Sequence, residues 1–381
     1  MSESNCRVCG KALSDEPLLH YENMPKAAQH FPAQADLASE HGADLTVCQC
    51  SACGLVQLSD PPVPYYRDVI RAAAVSQTLK KLKREQFSRL VAQYGLRGKR
   101  LIEIGCGKGE FLALWQNLGV QACGLENAET AVTACRAQGL DVTQGYIDSA
   151  DYRLPGAPYD AFALLMFMEH MPDPNAVLTG IRNNLADDAI GLIEVPNFDM
   201  VIENSVFAEF IADHLTYFTR ETLAFALQHN GFEVIECTAL RDDYVLSAIV
   251  RKRRRLDLSN FSGAQEKISG ELRKFIDAYP QGSVAIWGAS HQALAMISLA
   301  KIAGDIKYVV DSAPFKQGRY TPASHLPIVS PDALTATPAS ALIIMAASYS
   351  DEVADIVRER FGTRLPFAIL RESGLEVCKS A

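Results

Sequence analysis

Leu101-Ile-Glu103-Ile-Gly105-Cys-Gly107-Lys-Gly109-Glu110 decides the fold. It reads as a short apolar strand that carries an acid and then turns on three glycines. A strand packed on both faces is a continuous apolar run, and a glycine turn lets a ligand approach bare backbone, so ExGxGxG predicts a nucleotide-binding βα turn. The next apolar stretch, Val120-Gln-Ala-Cys-Gly124-Leu125-Glu126, ends in a carboxylate 17 positions beyond Gly109. That is where an acid meets ribose hydroxyls. The pair points to an adenosine ligand, and the spacing alone suits NAD as well as S-adenosylmethionine (SAM).

Working outward, strand and helix signals alternate. Arg100 to Ile104, Ala122 to Leu125, Ala161 to Met166 and Gly191 to Val195 read as strands, and a final hairpin is predicted from Phe232 to Thr238 and Tyr244 to Val250. Such alternation predicts a parallel, doubly wound sheet. A glycine-free run from Val75 to Tyr94 predicts a helix leading into it. A second, shorter α/β pattern starts at Ser283-Val-Ala-Ile-Trp287-Gly288-Ala-Ser290 and continues with a strand, Ile306 to Val310, ending at Asp311. A strand entering Gly-Ala-Ser and then a helix is a candidate phosphate cradle.

Ten cysteines are present, five of them in the first 53 residues. Cys6-Arg-Val-Cys9-Gly10 and Cys50-Ser-Ala-Cys53-Gly54 are two CxxC knuckles with a trailing glycine, which predicts a closed, structural zinc site on Cys6, Cys9, Cys50 and Cys53. Cys48 lacks the CxxC spacing to Cys53. The bland alternative is a set of unpaired core cysteines.

The 381 residues carry 36 basic and 45 acidic side chains, a net charge of −9 that disfavours non-specific nucleic-acid binding. No segment approaches the roughly 18 uninterrupted apolar residues of a membrane span. The first residues show neither a basic n-region nor an apolar h-region, so a cytoplasmic protein is expected. The expected organisation is a zinc-binding module at 1–60, a helical connector at 61–97, a catalytic α/β domain at 98–252, a linker helix at 253–280 and a smaller Rossmann-like α/β domain at 281–381.

One histidine follows a predicted strand end, in Met168-Glu169-His170-Met171-Pro172-Asp173-Pro174, and another lies further on, in Ala212-Asp213-His214-Leu215-Thr216-Tyr217-Phe218-Thr219. Ligands of open α/β sheets sit beyond the carboxyl ends of strands, so Glu169 and His170 should face the cleft. Histidine takes protons near neutral pH, and a neighbouring acid can orient it. Thr219 is placed to cap a helix from Arg220 to Asn230.

Glu103 before Gly105 resembles motif I of class I SAM-dependent methyltransferases. Over nearly its whole length the chain resembles the sugar C-methyltransferase family, which methylates C3 of deoxysugars attached to dTDP. The likeness rests on CxxCG, on Cys50-Ser-Ala-Cys53-Gly-Leu-Val-Gln-Leu58, on the ExGxGxG turn, on Glu169-His170-Met-Pro-Asp-Pro174 and on Asp213-His214-Leu-Thr-Tyr-Phe218. Its most specific part is Asp311-Ser-Ala-Pro314-Phe-Lys316-Gln317-Gly318 and onward to Pro327-Ile328. The resemblance implies a three-part α/β enzyme of secondary metabolism with SAM and Zn2+ as cofactors. His214 would be the base that removes a proton beside a keto group, with Asp213, His170 and Tyr66 around the sugar. Glu103, Gly105, Gly107, Gly109, Glu126, Asn127 and Phe167 would hold SAM. Gly288, Ser290, Lys316 and Gln317 would hold the nucleotide end of a small-molecule substrate, with no nucleic-acid or membrane partner. The chain departs from the family at sugar-contacting positions: Pro64-Tyr65-Tyr66-Arg67 replaces a YxYxS stretch, Ile211 replaces a tyrosine and Arg241-Asp242-Asp243-Tyr244 replaces an HGGS-like strand. An O- or N-methyltransferase of another metabolite, or a non-catalytic SAM-binding assembly protein, are the competing readings.

Overall fold

The computed structural model of the chain describes residues 5–26, 31–68 and 75–378. Part of the connector, residues 69–74, and the first four residues of the leader reading lie outside them. The chain divides into two compact units, Met1–Arg254 and Arg255–Ala381. No helix among the described residues is long and apolar enough to cross a membrane.

In the first unit, β1 (Leu19–Met24), β2 (Ala43–Gln49) and β3 (Val56–Leu58) form an antiparallel meander between and after the cysteine knuckles. The helix Gln77–Tyr94 starts on Ser76, whose side chain accepts from Leu79 N, and stops on left-handed Gly95. It buries Phe87, Leu90 and Val91, and its buried Lys83 pairs with Glu194 of the sheet below. Then follow β4 (Arg100–Ile104), β5 (Gln121–Glu126), β6 (Val142–Gln144), β7 (Tyr159–Leu165), β8 (Leu185–Pro196), β9 (Thr216–Tyr217), β10 (Phe232–Leu240) and β11 (Val245–Lys252). Seven of these make one sheet in the order β10-β11-β8-β7-β4-β5-β6, in which β11 alone opposes its neighbours. Its centre is apolar on both faces, as parallel strands covered by helices must be.

The remaining strand, β9, joins the other sheet, whose order is β1-β2-β3-β9. Val56 lies opposite Tyr217 and Gln57 opposite Thr216. The stretch expected as a separate module is thereby folded into the first unit. Directly after β9, Thr219 caps the helix Arg220–His229 in a reciprocal pairing with Thr222.

The second unit opens with the helix Ser259–Ile276 and then β12 (Val284–Trp287), β13 (Ile306–Val310), β14 (Ile328–Val329), β15 (Ala341–Ile344), β16 (Phe367–Arg371) and β17 (Gly374–Cys378). Their order is β14-β13-β12-β15-β16-β17, parallel apart from β17. Both units are therefore α/β, and each winds from a central strand first to one side and then to the other.

Candidate active site

In the first unit the chain leaves β4 toward β5 and β6, then returns to β7 on the opposite side. The carboxyl ends of β4 and β7 thus flank a crevice, the usual ligand position in such a sheet. Gly105, Gly107 and Gly109 turn the chain there at φ values of +69°, +56° and +80°, which only glycine adopts freely. Their surroundings differ. A Cβ on Gly105 would lie 2.9 Å from the Phe167 ring, one on Gly107 would meet nothing within 4 Å, and one on Gly109 would run into Leu140 and Cys135. Gly107 faces open space, while Gly109 packs closely against Cys135 of the helix Glu129–Ala137 and Leu140 beyond it.

Glu126, at the end of β5, is buried and ties the turn together: one carboxylate oxygen accepts from Gly107 N at 2.8 Å, the other from Ala128 N at 2.9 Å. Gly105, Glu126, Asn127 and Phe167 line a narrow cleft with Gly145, Tyr146, Ile147 and Val177. The Asn127 amide donates to Asp68 at 2.6 Å. Glu103 is buried within β4 and does not line this cleft. Tyr146 was not singled out from sequence, because the three-residue β6 before it gives no period to read.

Aromatic rings lead from the cleft to the histidines. Tyr66 meets Tyr146 edge-on at 5.8 Å, Tyr146 meets Phe167 at 6.2 Å, Phe167 lies 6.4 Å from His170, and His170 lies 4.8 Å from His214 at 74°. The fold thus joins two histidines 44 positions apart in sequence. His170 sits in the 3-10 turn Met168–His170 after β7, with Nδ1 at 2.8 Å from the Asp213 carbonyl. Leu215 N donates to the Glu169 carbonyl at 2.8 Å, which sews the two segments together. Burial pushes both imidazoles down, His170 to about 4 and His214, also disfavoured by His170, to about 3. Burial pushes the Glu169 carboxyl up to about 8. Both histidines are accordingly neutral at pH 7.

Asp213 is buried, and its backbone carbonyl orients the His170 imidazole. Burial and then the charge of Asp213 raise the Tyr65 phenol to about 12. Tyr66 packs on Tyr146, a residue of the cleft beside Gly105.

Cys6, Cys9, Cys50 and Cys53 converge, with sulfur–sulfur distances of 3.5 Å for Cys6–Cys53 and 3.4 Å for Cys9–Cys50. Four thiolates 2.3 Å from one zinc ion stand about 3.8 Å apart, so the cluster fits such an ion. Each knuckle closes on its glycine, Gly10 N donating to Cys6 O and Gly54 N to Cys50 O. Burial raises the Cys6 and Cys53 thiols, whereas Cys50, despite burial, is brought to about 7 by N–H groups of Cys53 and Ala52. From between Cys6 and Val8, Arg7 donates to the carbonyls of Pro172 and Asp60 at 3.1 and 2.9 Å, while Asn175 donates back to Val8 O at 2.7 Å. The first knuckle therefore grips the segment that follows His170.

In the second unit the corresponding crevice lies between the ends of β12 and β15. Gly288 has φ +122°, and a Cβ there would sit 2.5 Å from the Met345 carbonyl. Ser290 caps the helix His291–Leu299 by accepting from Ala293 N. Asp311 accepts from Ala289 N and Ala313 N at 2.9 Å each and pairs with Lys316 at 2.8 Å. Gln317 donates to Asp311 O at 3.0 Å. All four expected residues or their neighbours gather here, but Lys316 is already engaged.

A family model described as a methyltransferase domain matches residues 76–237. One described as a C-methyltransferase C-terminal domain matches residues 252–366. The chain is 23% identical over 395 residues to the C-methyltransferase NovU of Streptomyces niveus, covering 93% of this chain and 92% of that protein. It is 32% identical over 101 residues to the ubiquinone biosynthesis O-methyltransferase of Methylococcus capsulatus, which spans 25% of this chain and 41% of that protein. Among solved structures, a SAM-dependent methyltransferase from Clostridium acetobutylicum superposes with a TM-score of 0.38 at 9% identity, over 45% of this chain and 92% of that one.

Proposed function

We propose that this chain, which belongs to the sugar C-methyltransferase family and is a SAM-dependent methyltransferase, methylates a carbon atom of a nucleotide-linked keto-deoxysugar with His214 as general base. The observation that carries the reading is the meeting of the His170 and His214 rings, 4.8 Å between centroids, next to Phe167 of the cleft. Carbon is methylated only as a carbanion equivalent, so a base and a donor to the developing oxyanion are required. A half-buried, neutral His214 presents a lone pair at pH 7. His170 holds its proton on Nδ1 against the Asp213 carbonyl, and the protonated Tyr65, which donates to Lys26 O at 3.1 Å, would exchange that partner for the oxyanion. SAM, when bound, supplies the electrophilic methyl group. Gly105, Gly107 and Phe167 would shape its slot, and Glu126 would exchange backbone partners for the ribose hydroxyls.

Zn2+ on the four cysteines would act structurally, fixing the knuckle from which Arg7 and Asn175 reach the His170 segment. A Cys50→Ser protein should lose metal and thermal stability together. In the second unit, the Ala289–Ser290 turn and the helix N-terminus after it would take the pyrophosphate, with Lys316 and Gln317 at its edge.

The deciding experiment supplies SAM and a dTDP-4-keto-deoxysugar in deuterated water. The reading expects S-adenosylhomocysteine, a C-methylated product, and exchange of the acidic carbon-bound proton that His214→Ala abolishes. A product methylated on oxygen or nitrogen overturns it.

A further inference from the structure

Beyond the four cysteines, we infer that Glu169, His170 and His214 form a second metal site, selective for a divalent first-row transition ion. One donor atom from each of the three residues lies within 4.8 Å of the others. Two neutral imidazoles and the Glu169 carboxyl, which releases its proton as the ion binds, are the donors that suit Zn2+, Co2+, Ni2+ or Fe2+, and not the all-oxygen sets that Mg2+ and Ca2+ demand.

Three features make this more than proximity. The Nδ1 of His170 is committed to the Asp213 carbonyl at 2.8 Å, which leaves Nε2 as the lone pair, and Nε2 is the atom facing Glu169 Oε1 at 3.9 Å. A carbonyl on the far ring nitrogen is how metal-binding histidines are ordinarily oriented. Glu169 Oε2 is buried without a hydrogen-bond partner among the described residues, although the side chain is only 2% exposed. A buried, unsatisfied carboxylate oxygen is costly, and a cation removes that cost. Thirdly, methyl transfer as proposed above gives Glu169 no task. Three protein donors leave further coordination positions for water, as in open metal sites.

Occupancy has a consequence that rests on the assignment of His214 as base. A cation on its ring nitrogen takes the lone pair that would abstract the proton, so excess transition metal should inhibit turnover.

The test titrates Co2+ into protein whose cysteine site is loaded with zinc. We expect one further equivalent, with visible d–d absorption and no thiolate-to-cobalt charge transfer. Glu169→Gln and His170→Ala should each lose that equivalent while keeping the cysteine zinc and the wild-type circular dichroism. Wild-type protein that takes up no cobalt, or two variants that both retain it, overturns the site. The two assignments fail separately in this experiment. Cobalt that binds without slowing turnover keeps the metal site and removes His214 as base. Loss of turnover in His214→Ala, together with wild-type protein that binds no cobalt, does the reverse.

Discussion

The two crevices are built to one plan and set to opposite states. In each unit the first strand of the sheet ends at a positive-φ glycine, Gly105 or Gly288, and the next strand ends at a buried acid, Glu126 or Asp311. Each acid accepts from the N–H of the preceding turn, Gly107 or Ala289, and from the N–H two residues beyond itself, Ala128 or Ala313. There the likeness stops. Asp311 is neutralised by Lys316, whereas among the described residues no cation pairs with Glu126. A carboxylate held only by backbone keeps its charge for ligand hydroxyls; one clamped by an ammonium group has become part of the frame. The comparison teaches that the strand-turn-acid signature reports a way of building a turn, and that the counter-charge decides whether the turn is also a site.

The largest effect should separate the two glycines. In Gly288→Val the branched side chain faces a carbonyl that cannot move, at a φ of +122°, so the second unit should lose roughly 4 kcal/mol from backbone strain and overpacking combined. Calorimetry of the whole chain should show one transition moved down and the other in place. In Gly105→Val the obstacle is the Phe167 ring, a side chain, and loss of SAM binding should exceed loss of stability. Equal melting shifts would erase the distinction.

Next in size is chemistry, which should sit in the first crevice alone. His214→Ala should lower kcat by roughly 100-fold, about 2.7 kcal/mol, with SAM affinity unchanged in a calorimetric titration. Retained turnover would move the base elsewhere.

A third prediction concerns the uncompensated acid. Glu126→Ala should weaken SAM about tenfold, roughly 1.4 kcal/mol, whereas Asp311→Asn should leave SAM binding untouched. If both or neither change affinity, the counter-charge argument fails.

The smallest effect is a pH dependence of the second unit. Burial alone would raise the Asp311 pKa, yet Lys316 and the N–H groups of Ala313 and Ala289 hold it below the ordinary carboxylate range. A depressed folded value contributes stability that is present above the unfolded pKa, near 4, and is lost as pH falls through the folded value. Thermal melts should show the second unit weakening below about pH 4, and Asp311→Asn should flatten that slope.

Legibility followed burial. β4 was read to the residue, because its apolar run is packed on both faces. The cap at Thr219 was legible as well, and its reciprocal partner is Thr222. β1 escaped notice since its side chains are almost all exposed and carry no alternation. β9, two residues long, exists only because β3 is beside it, a fact no local window contains. The histidines could be named from their flanking acids, but which acid serves which ring could not. Asp213 presents its carbonyl to His170, a backbone contact that side-chain identity does not encode. That Tyr66 packs on Tyr146 is likewise a contact that no local window contains.

The pairing of β3 with β9 also bears on how the protein is made. The cysteine knuckles leave the ribosome early, yet their sheet has an open edge at Val56–Leu58 until Thr216–Tyr217 has been synthesised. An unpaired edge invites pairing with other chains, and contacts so distant in sequence form late. The nascent N-terminal stretch is thus exposed to misassembly for most of the synthesis of the first unit. The strand that ends this exposure begins two residues after His214, so closing the sheet and presenting the histidine are a single folding event.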